Sequence, residues 1–533
     1  MTIALGLALC GCAHVDAPLA KSTRAEVDIP YQQFTLPNGL RVIVHTDRKA
    51  PIVAVNIWYH VGSKDEPEGR SGFAHLFEHL MFQASENHKG EYFTPFKQVG
   101  VTDQNGTTNQ DRTNYFENVP TTALDTALWM ESDRMGHLVG AIDDAALVEQ
   151  RGVVQNEKRQ GENQPYGRSY DMLVKSIYPK GHPYHHTVIG SMNDLDAASL
   201  EDVKNWFRSW YGPNNAVLVL AGDIDLATAK AKVAKYFGDI PATATVPRKA
   251  AMVAKRESAS RATMTDRVAQ VRVMRVWNVP NYASPEVQDL QLFAQVLGGS
   301  RASRLDKRLY FGDKSVDRVS ASMDASELGG TFDITADIKE GVDPAVVEKA
   351  IAEELDKLLA EGPSAAELEQ ARTVFRAGFI RGIERIGGFG GKADALAECT
   401  VYTGDPSCFR GQLQRIATRT PAQVQATAAK WLRSGDHTLS IVPGEVTPIV
   451  EEVAAKPGPS SIAAADPKFR TVASDVDRAQ GVPVAKEFPQ LSFPALQRAT
   501  LKNGTKVIVA ERHDTPVVQL SMEFPGGFAS DRG

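Results

Sequence analysis

Residues 216–222 read Ala-Val-Leu-Val-Leu-Ala-Gly and residues 438–444 read Thr-Leu-Ser-Ile-Val-Pro-Gly. A short, near-continuous apolar run closed by turn formers is the pattern of a strand buried on both faces. Each run follows a helical segment, with Leu200, Val203 and Trp210 before the first and Val424 and Trp431 before the second. Each is followed by an acidic residue, Asp223 or Glu445, and the correspondence holds at an offset of 221 to 222. The chain therefore reads as two divergent copies of one unit.

A second echo has an offset of 465. Leu36-Pro-Asn-Gly-Leu-Arg-Val-Ile-Val44 returns as Leu501-Lys-Asn-Gly-Thr-Lys-Val-Ile-Val509, followed by Pro51 with Pro516 and Gly62 with Gly527. A third copy is thus expected to begin after a loose Ala/Pro/Ser/Asp-rich linker over 446–492. Because a strand pair without its sheet is marginal, the chain is read as the front part of a longer protein.

In the first copy, Asn38-Gly39 predicts a turn within 34–45, opening a strand, and 51–60 alternates as a second strand. Helical periodicity covers 72–84, 119–136, 144–160 and 199–210, the last capped by Ser199. The second copy has a strand at 271–279, a strand pair over 316–336 split at Gly329-Gly330, and a strand at 437–442. Its helices are predicted over 344–359 and 364–386, with capping boxes at Ser364/Glu367 and, for a later helix, at Thr420/Gln423. Strands with helices grouped between them give an α+β fold of two homologous α/β layer domains.

The 533 residues are 42% hydrophobic and 23% charged, with a net charge of −6. That length suffices for roughly three or four folding units. Glycine and proline contents of 42 and 29 exclude collagen-like and low-complexity chains. The mild acidity offers no general attraction for nucleic acid. There is no apolar run of about 18 residues that would span a membrane.

Residues 3–9 form a short apolar core followed by small residues, as in a secretory leader. Leu9-Cys10-Gly11-Cys12 is similar to a bacterial lipobox, with Cys12 as the residue to be acylated and a lipid anchor as the consequence. Export to the periplasm or cell envelope is the expectation. In an oxidising compartment Cys399 and Cys408 could pair; their spacing permits a bridge or two buried thiols.

The sharpest chemical signal is His75-Leu76-Phe77-Glu78-His79 on the predicted helix 72–84. Residues three and four apart share a helix face, so two imidazoles and a carboxylate converge. Two imidazoles suit zinc, and Glu78 is placed to take a proton from water. Were the histidines merely packed, three ionisable groups would share an interior with nothing to organise them. A third ligand must come from elsewhere, and the helix 144–160 offers Glu149 and Glu157.

The pentapeptide, followed 78 residues later by the last residue of Val-Val-Gln-Asn-Glu157, resembles the pitrilysin family of zinc peptidases, which includes insulin-degrading enzyme and the mitochondrial processing peptidase. The resemblance implies His75, His79 and Glu157 as ligands of one zinc ion per chain and Glu78 as general base. Gln150 stands where several members carry a glutamate, leaving Glu149 as an outer-sphere candidate. Asn105-Gly-Thr-Thr-Asn-Gln-Asp-Arg-Thr-Asn-Tyr115 is similar to the family's strand beside the zinc, with Gly106 in place of the usual alanine. Asn105, Gly106 and Thr107 are accordingly expected to bind peptide, by addition of a strand. His182, His185 and His186 lie in a Gly/Pro turn region without helical spacing and are read as structural. Leu297 to Leu305 lacks the lysine and preceding strand of a phosphate loop.

Family members form a clam-shell chamber from two homologous halves. The resemblance divides this chain into a leader and polar lead (1–30), a zinc-binding peptidase domain (31–250), a homologous second domain without metal (251–445), the linker (446–492) and the truncated start of a further repeat (493–533). The expected activity is zinc-dependent hydrolysis of short or unfolded peptides, with the missing half of the chamber supplied by the same longer chain or a partner subunit. The alternatives are a non-catalytic chamber or scaffold subunit and a peptide-binding protein of the same fold.

Overall fold

In the computed structural model, residues 28–245, 247–451, 463–490, 492, 495–513 and 515–530 are described; the leader and Cys12 lie outside them. The first sheet comprises β1 (Gln32–Thr35), β2 (Arg41–Thr46), β3 (Ile52–Tyr59), β4 (Thr102–Thr108), β5 (Thr113–Pro120) and β6 (Ala216–Gly222), in the order β1-β2-β6-β3-β5-β4. The second comprises β7 (Ser260–Asp266), β8 (Arg272–Val279), β9 (Val316–Ala325), β10 (Gly330–Ile338) and β11 (His437–Pro443), in the order β7-β11-β8-β10-β9.

Apart from the extra edge strand β1, the two sheets have the same topology. In each, the last strand in sequence inserts between two earlier strands and runs parallel to one of them, β6 beside β2 and β11 beside β7, and the other pairings are antiparallel. The two apolar runs that echo each other are these inserted strands. β6 is buried throughout, as a strand flanked on both sides and covered on both faces must be. Duplication of one α+β unit is thus visible in the hydrogen bonding.

Several boundaries differ from the sequence reading. The helix expected over 119–136 begins only at Leu124, because β5 runs on to Pro120, paired with β3 on one side and β4 on the other. A 3-10 turn, Thr121–Ala123, makes the transition. Pairing partners distant in sequence decided this, and local periodicity does not report them. β7 went unrecognised because its polar sequence, Ser-Arg-Ala-Thr-Met-Thr-Asp, carries no buried-strand pattern. The caps at Ser199, Ser364 and Thr420 form as expected.

The segment after β11 is not loose where it is described. Arg470 N–H donates to Pro37 O (3.1 Å) and Val472 N–H to Gly238 O (2.7 Å), while Val476, Val482 and Ala485 pack on the first unit's core. Arg478 reaches the fully buried Asp133 (3.1 Å). The stretch is a strap laid over the helices Leu124–Gly136 and Leu226–Phe237.

The second unit also covers the first sheet. Helix Lys392–Thr403 lays Ala393, Leu396 and Ala397 against Ala54, Val219 and Ala221. It continues into the disulfide Cys399–Cys408, which settles the choice between a bridge and two thiols. At the start of this helix Lys392 Nζ donates to Asp47 Oδ2 (2.6 Å), both side chains being buried. Burial raises the Asp47 carboxyl, but bonds and charge from Lys392, then from Lys49, hold it down to about 2.

Lys392→Met should therefore destabilise the fold by about 3 kcal/mol, Lys49 remaining as a lesser partner. A depressed carboxyl contributes stability that is complete above the unfolded value of about 4 and is lost as pH falls towards 2. The variant should accordingly lose less stability than the parent across that window, as measured by urea unfolding at stepped pH.

Candidate metal centre

The pentapeptide lies on the helix Phe73–Leu80. Its apolar face packs inward, with Phe77 against Tyr211 and Phe207 at ring separations of 4.4 and 5.6 Å. The start of this helix is fixed by neighbours rather than by its own sequence. Gly72 has φ +94, and a Cβ there would lie 2.7 Å from Ile189 O, so glycine is required on both counts. The Glu66 side chain is fully buried, and its two oxygens accept from Gly72 N–H (3.0 Å) and Ala74 N–H (2.8 Å). Ser71 N–H and Oγ both donate to Asp194, at 2.9 and 2.6 Å.

Glu157 comes from the helix Asp144–Asn163, capped by Asp143 and anchored by the buried Leu147 and Val154. Its Oε2 lies 3.6 Å from His75 Nε2 and 3.5 Å from His79 Nε2. These separations are too long for good hydrogen bonds. They match the roughly 3.3 Å between donors that share a tetrahedral ion at bond lengths of 2.0–2.1 Å. Donor atoms of all three residues lie within 4.8 Å of one another, and no other metal-capable group of His, Cys, Asp and Glu occurs among the described residues.

The electrostatics suit the same purpose. Burial, and then the neighbouring His79, brings His75 down to about 4, so its ring is neutral at pH 7 and keeps a lone pair. His75 Nδ1 is buried without a hydrogen-bond partner, so this ring's polar contact is made at Nε2, toward Glu157. Two imidazoles and one carboxylate form a donor set that fits a borderline-soft dication such as zinc. Burial pushes the Glu78 carboxyl up to about 7, against the pull of a hydrogen bond from Thr108 and the charge of Arg112. That bond runs from Thr108 Oγ1 to Glu78 Oε2 at 2.6 Å.

The expected peptide-binding residues lie on β4, the edge strand of the first sheet. Asn105 is exposed and pairs in register with Phe116; Thr107 is half-buried and pairs with Asn114. Gly106 is buried, with the Phe82 ring where a Cβ would sit. A cavity of about 410 Å³ adjoins the strand's end and the metal cluster, lined by Thr108, Gln110, Glu157, Tyr170 and Ile189 among others.

Glu149 does not join the cluster. It is exposed and lies eight residues, about 12 Å, before Glu157 on the same helix, while the adjacent Gln150 is buried. The histidines of the turn region are structural. His182 Nε2 lies 2.8 Å from Met252 O, and His185 Nδ1 lies 2.8 Å from Tyr178 O. Residues 297 and 298 end the helix Val287–Gly298.

Sequence reasoning missed Glu66, Thr108 and Asp111. The last sits at the tip of the β4–β5 hairpin, where its carboxylate accepts from Tyr184 OH (2.5 Å) and from Glu327 N–H of the second unit (2.8 Å). Thr108 and Asp111 stood in the quoted strand motif, but only spatial partners reveal what they touch.

Replacing Glu66 by alanine orphans two buried N–H groups at the start of the motif helix. The expected cost is about 2–4 kcal/mol in unfolding free energy. Glu66→Gln should also be destabilised, because a carboxamide offers one acceptor oxygen where two are used. Urea titration of the three proteins, with metal content measured alongside, checks this.

Comparison with known proteins agrees with this geometry. The family description "Insulinase (Peptidase family M16)" matches residues 41–190, and "Peptidase M16 inactive domain" matches 197–375, together well over half the chain. His75, Glu78, His79 and Glu157 all fall in the first match. The zinc protease PqqE of Helicobacter pylori is 28% identical over 372 residues, covering 69% of this chain and 83% of that protein. The crystal structure of a protease from Helicobacter pylori superposes with a TM-score of 0.73 at 25% identity, covering 78% of this chain and 99% of that one. The periplasmic protease PqqL from Escherichia coli shares the fold, with a TM-score of 0.65 at 19% identity; the match covers 91% of this chain but 56% of that one. By sequence match, duplicated fold and metal-capable cluster together, the chain belongs to the M16, pitrilysin-like peptidase family.

Proposed function

We propose that the chain is the metal-bearing half of a zinc metalloendopeptidase that hydrolyses extended, unfolded peptides. The observation that carries this is the convergence of His75 Nε2, His79 Nε2 and Glu157 Oε2 beside a buried, ionisable Glu78. His75, His79 and Glu157 would hold the ion. Zinc bound there would supply Lewis acidity, both to water and to the scissile carbonyl. Glu78 takes the proton of the attacking water and hands it to the leaving amine. β4 leaves a row of backbone groups for a peptide to pair with, which selects for extended chains rather than for sequence. Asn105, Gly106 and Thr107 line that edge.

The exposed apolar residues of the β12–β13 hairpin (Leu496–Thr500 and Lys506–Ala510) support a further half that covers them; Ile508 is 58% exposed. The match to just over half of PqqL supports the same arrangement. Export to an oxidising envelope compartment, with Cys12 as a lipid attachment site, is the accompanying reading, and the Cys399–Cys408 bridge favours export.

The test compares the protein with its Glu78→Gln form for bound zinc and for cleavage of a quenched fluorescent peptide. Zinc should be nearly equal in the two, with turnover in the variant reduced roughly 10²- to 10⁴-fold. Glu157→Ala should lose the metal itself. Equal, chelator-insensitive cleavage by parent and Glu78→Gln would remove the proposal. For the compartment, alkylation in denaturant should label Cys399 and Cys408 only after reduction in protein taken from its native cell; labelling without reductant would count against export.

A further inference from the structure

We infer that Thr108 is the positioning residue of Glu78, and that the second unit holds Thr108 in place. The inference rests on Glu78 acting as the base and goes beyond it by naming what fixes that carboxylate.

The terminal torsion of a glutamate is broad and roughly two-fold, so a buried Glu78 without an anchor would sample several carboxylate orientations. The Thr108 hydroxyl supplies the anchor: its 2.6 Å bond to Oε2 lies in the range of charge-assisted O–H···O⁻ contacts. Among the described residues it is the only hydrogen bond made to this carboxylate. With Oε2 committed, the other oxygen is left as the site that takes a proton.

The hydroxyl's direction is itself determined. Thr108 pairs directly with Thr113 across the β4–β5 ladder, their Oγ1 atoms 3.3 Å apart. Thr113 donates its own proton to Val61 O (3.0 Å), so the Thr108 proton has two acceptors in reach, and the carboxylate oxygen of Glu78 at 2.6 Å is the nearer and stronger of them.

The hairpin carrying Thr108 is gripped three residues further on. Asp111 is buried, with Tyr184 OH and Glu327 N–H on its two carboxylate oxygens. Lys64 Nζ donates to the Asp111 carbonyl (2.9 Å), and Leu328 N–H donates to Tyr184 OH (2.9 Å). Glu327 and Leu328 form the turn between β9 and β10, so the unit without metal indexes the hairpin that orients the base.

Thr108→Val keeps the shape and β-branching while deleting the hydroxyl; Thr108→Ser keeps the hydroxyl. With zinc content unchanged, Thr108→Val should lower kcat roughly 10- to 100-fold with KM within about 3-fold, and Thr108→Ser should recover most of the loss. Crystal structures of the two variants give a readout independent of turnover: the Glu78 carboxylate should be rotated or split in Thr108→Val and restored in Thr108→Ser. Parental kcat in Thr108→Val, with Glu78→Gln inactive, would overturn the positioning role and leave the peptidase reading intact. If the zinc-loaded protein, with the further half of the chamber present, cleaves nothing, the peptidase reading falls, and an unmoved Glu78 in Thr108→Val would separately overturn the inference.

Discussion

Three donor atoms from two helices that are distant in sequence must meet within a few ångströms, unbonded to one another and half-shielded from water. Left to themselves, such groups gain more by separating into solvent, where each finds hydrogen bonds. The scaffold therefore has to supply the placement. It does so at the helix ends: Glu66 and Asp194 fix where the motif helix begins, and Asp143 caps the helix that brings Glu157. Each imidazole then projects from a backbone that cannot shift by a turn without orphaning buried N–H groups.

The duplicated unit serves the same constraint from the other side. Apart from β1 both sheets share one strand order, yet among the described residues only the first bears the cluster. The second repays its size by burying the Glu327–Leu328 turn against the hairpin tip, and by laying helix Lys392–Thr403 over the outer face of the first sheet. The match described as the inactive domain, residues 197–375, takes in Glu327 and Leu328 of the second unit, whose backbone N–H groups bond Asp111 and Tyr184. Contacts through Asp111 give that unit a mechanical part in the site.

The local signals were read correctly because they are local. The caps at Ser199, Ser364 and Thr420, the Asn-Gly turn and the i, i+4 histidines each depend on a few consecutive residues. Glu157 was assigned by resemblance, since nothing in Val-Val-Gln-Asn-Glu-Lys-Arg separates a ligand from a solvated helix face. Glu149 failed for the complementary reason: proximity in sequence along one helix is about 12 Å in space. Thr108 and Asp111 acquire meaning only through partners 30 and 216 residues away, Glu78 and Glu327. β7 was invisible because its strand character comes from β11 beside it.

The repeated hairpin separates what turn chemistry dictates from what burial requires. Gln32 pairs with Val44, and at an offset of 465 Gln497 pairs with Val509, so the register is preserved across the whole ladder. The turns match as well: Gly39 and Gly504 have φ of +95 and +87, and each donates its N–H to the leucine three residues before it. Side-chain environments nevertheless diverge completely. Ile43 and Val44 are 1% exposed, while Ile508 and Val509 are 58% and 43% exposed. In the first copy β2 lies against β6, the central strand that closes the sheet; among the described residues β12 and β13 pair only with each other. A two-stranded ribbon is marginal by itself. Asn-Gly and alternation are thus enough to set the register, while the stability of that register comes from a neighbouring strand and the helices behind it.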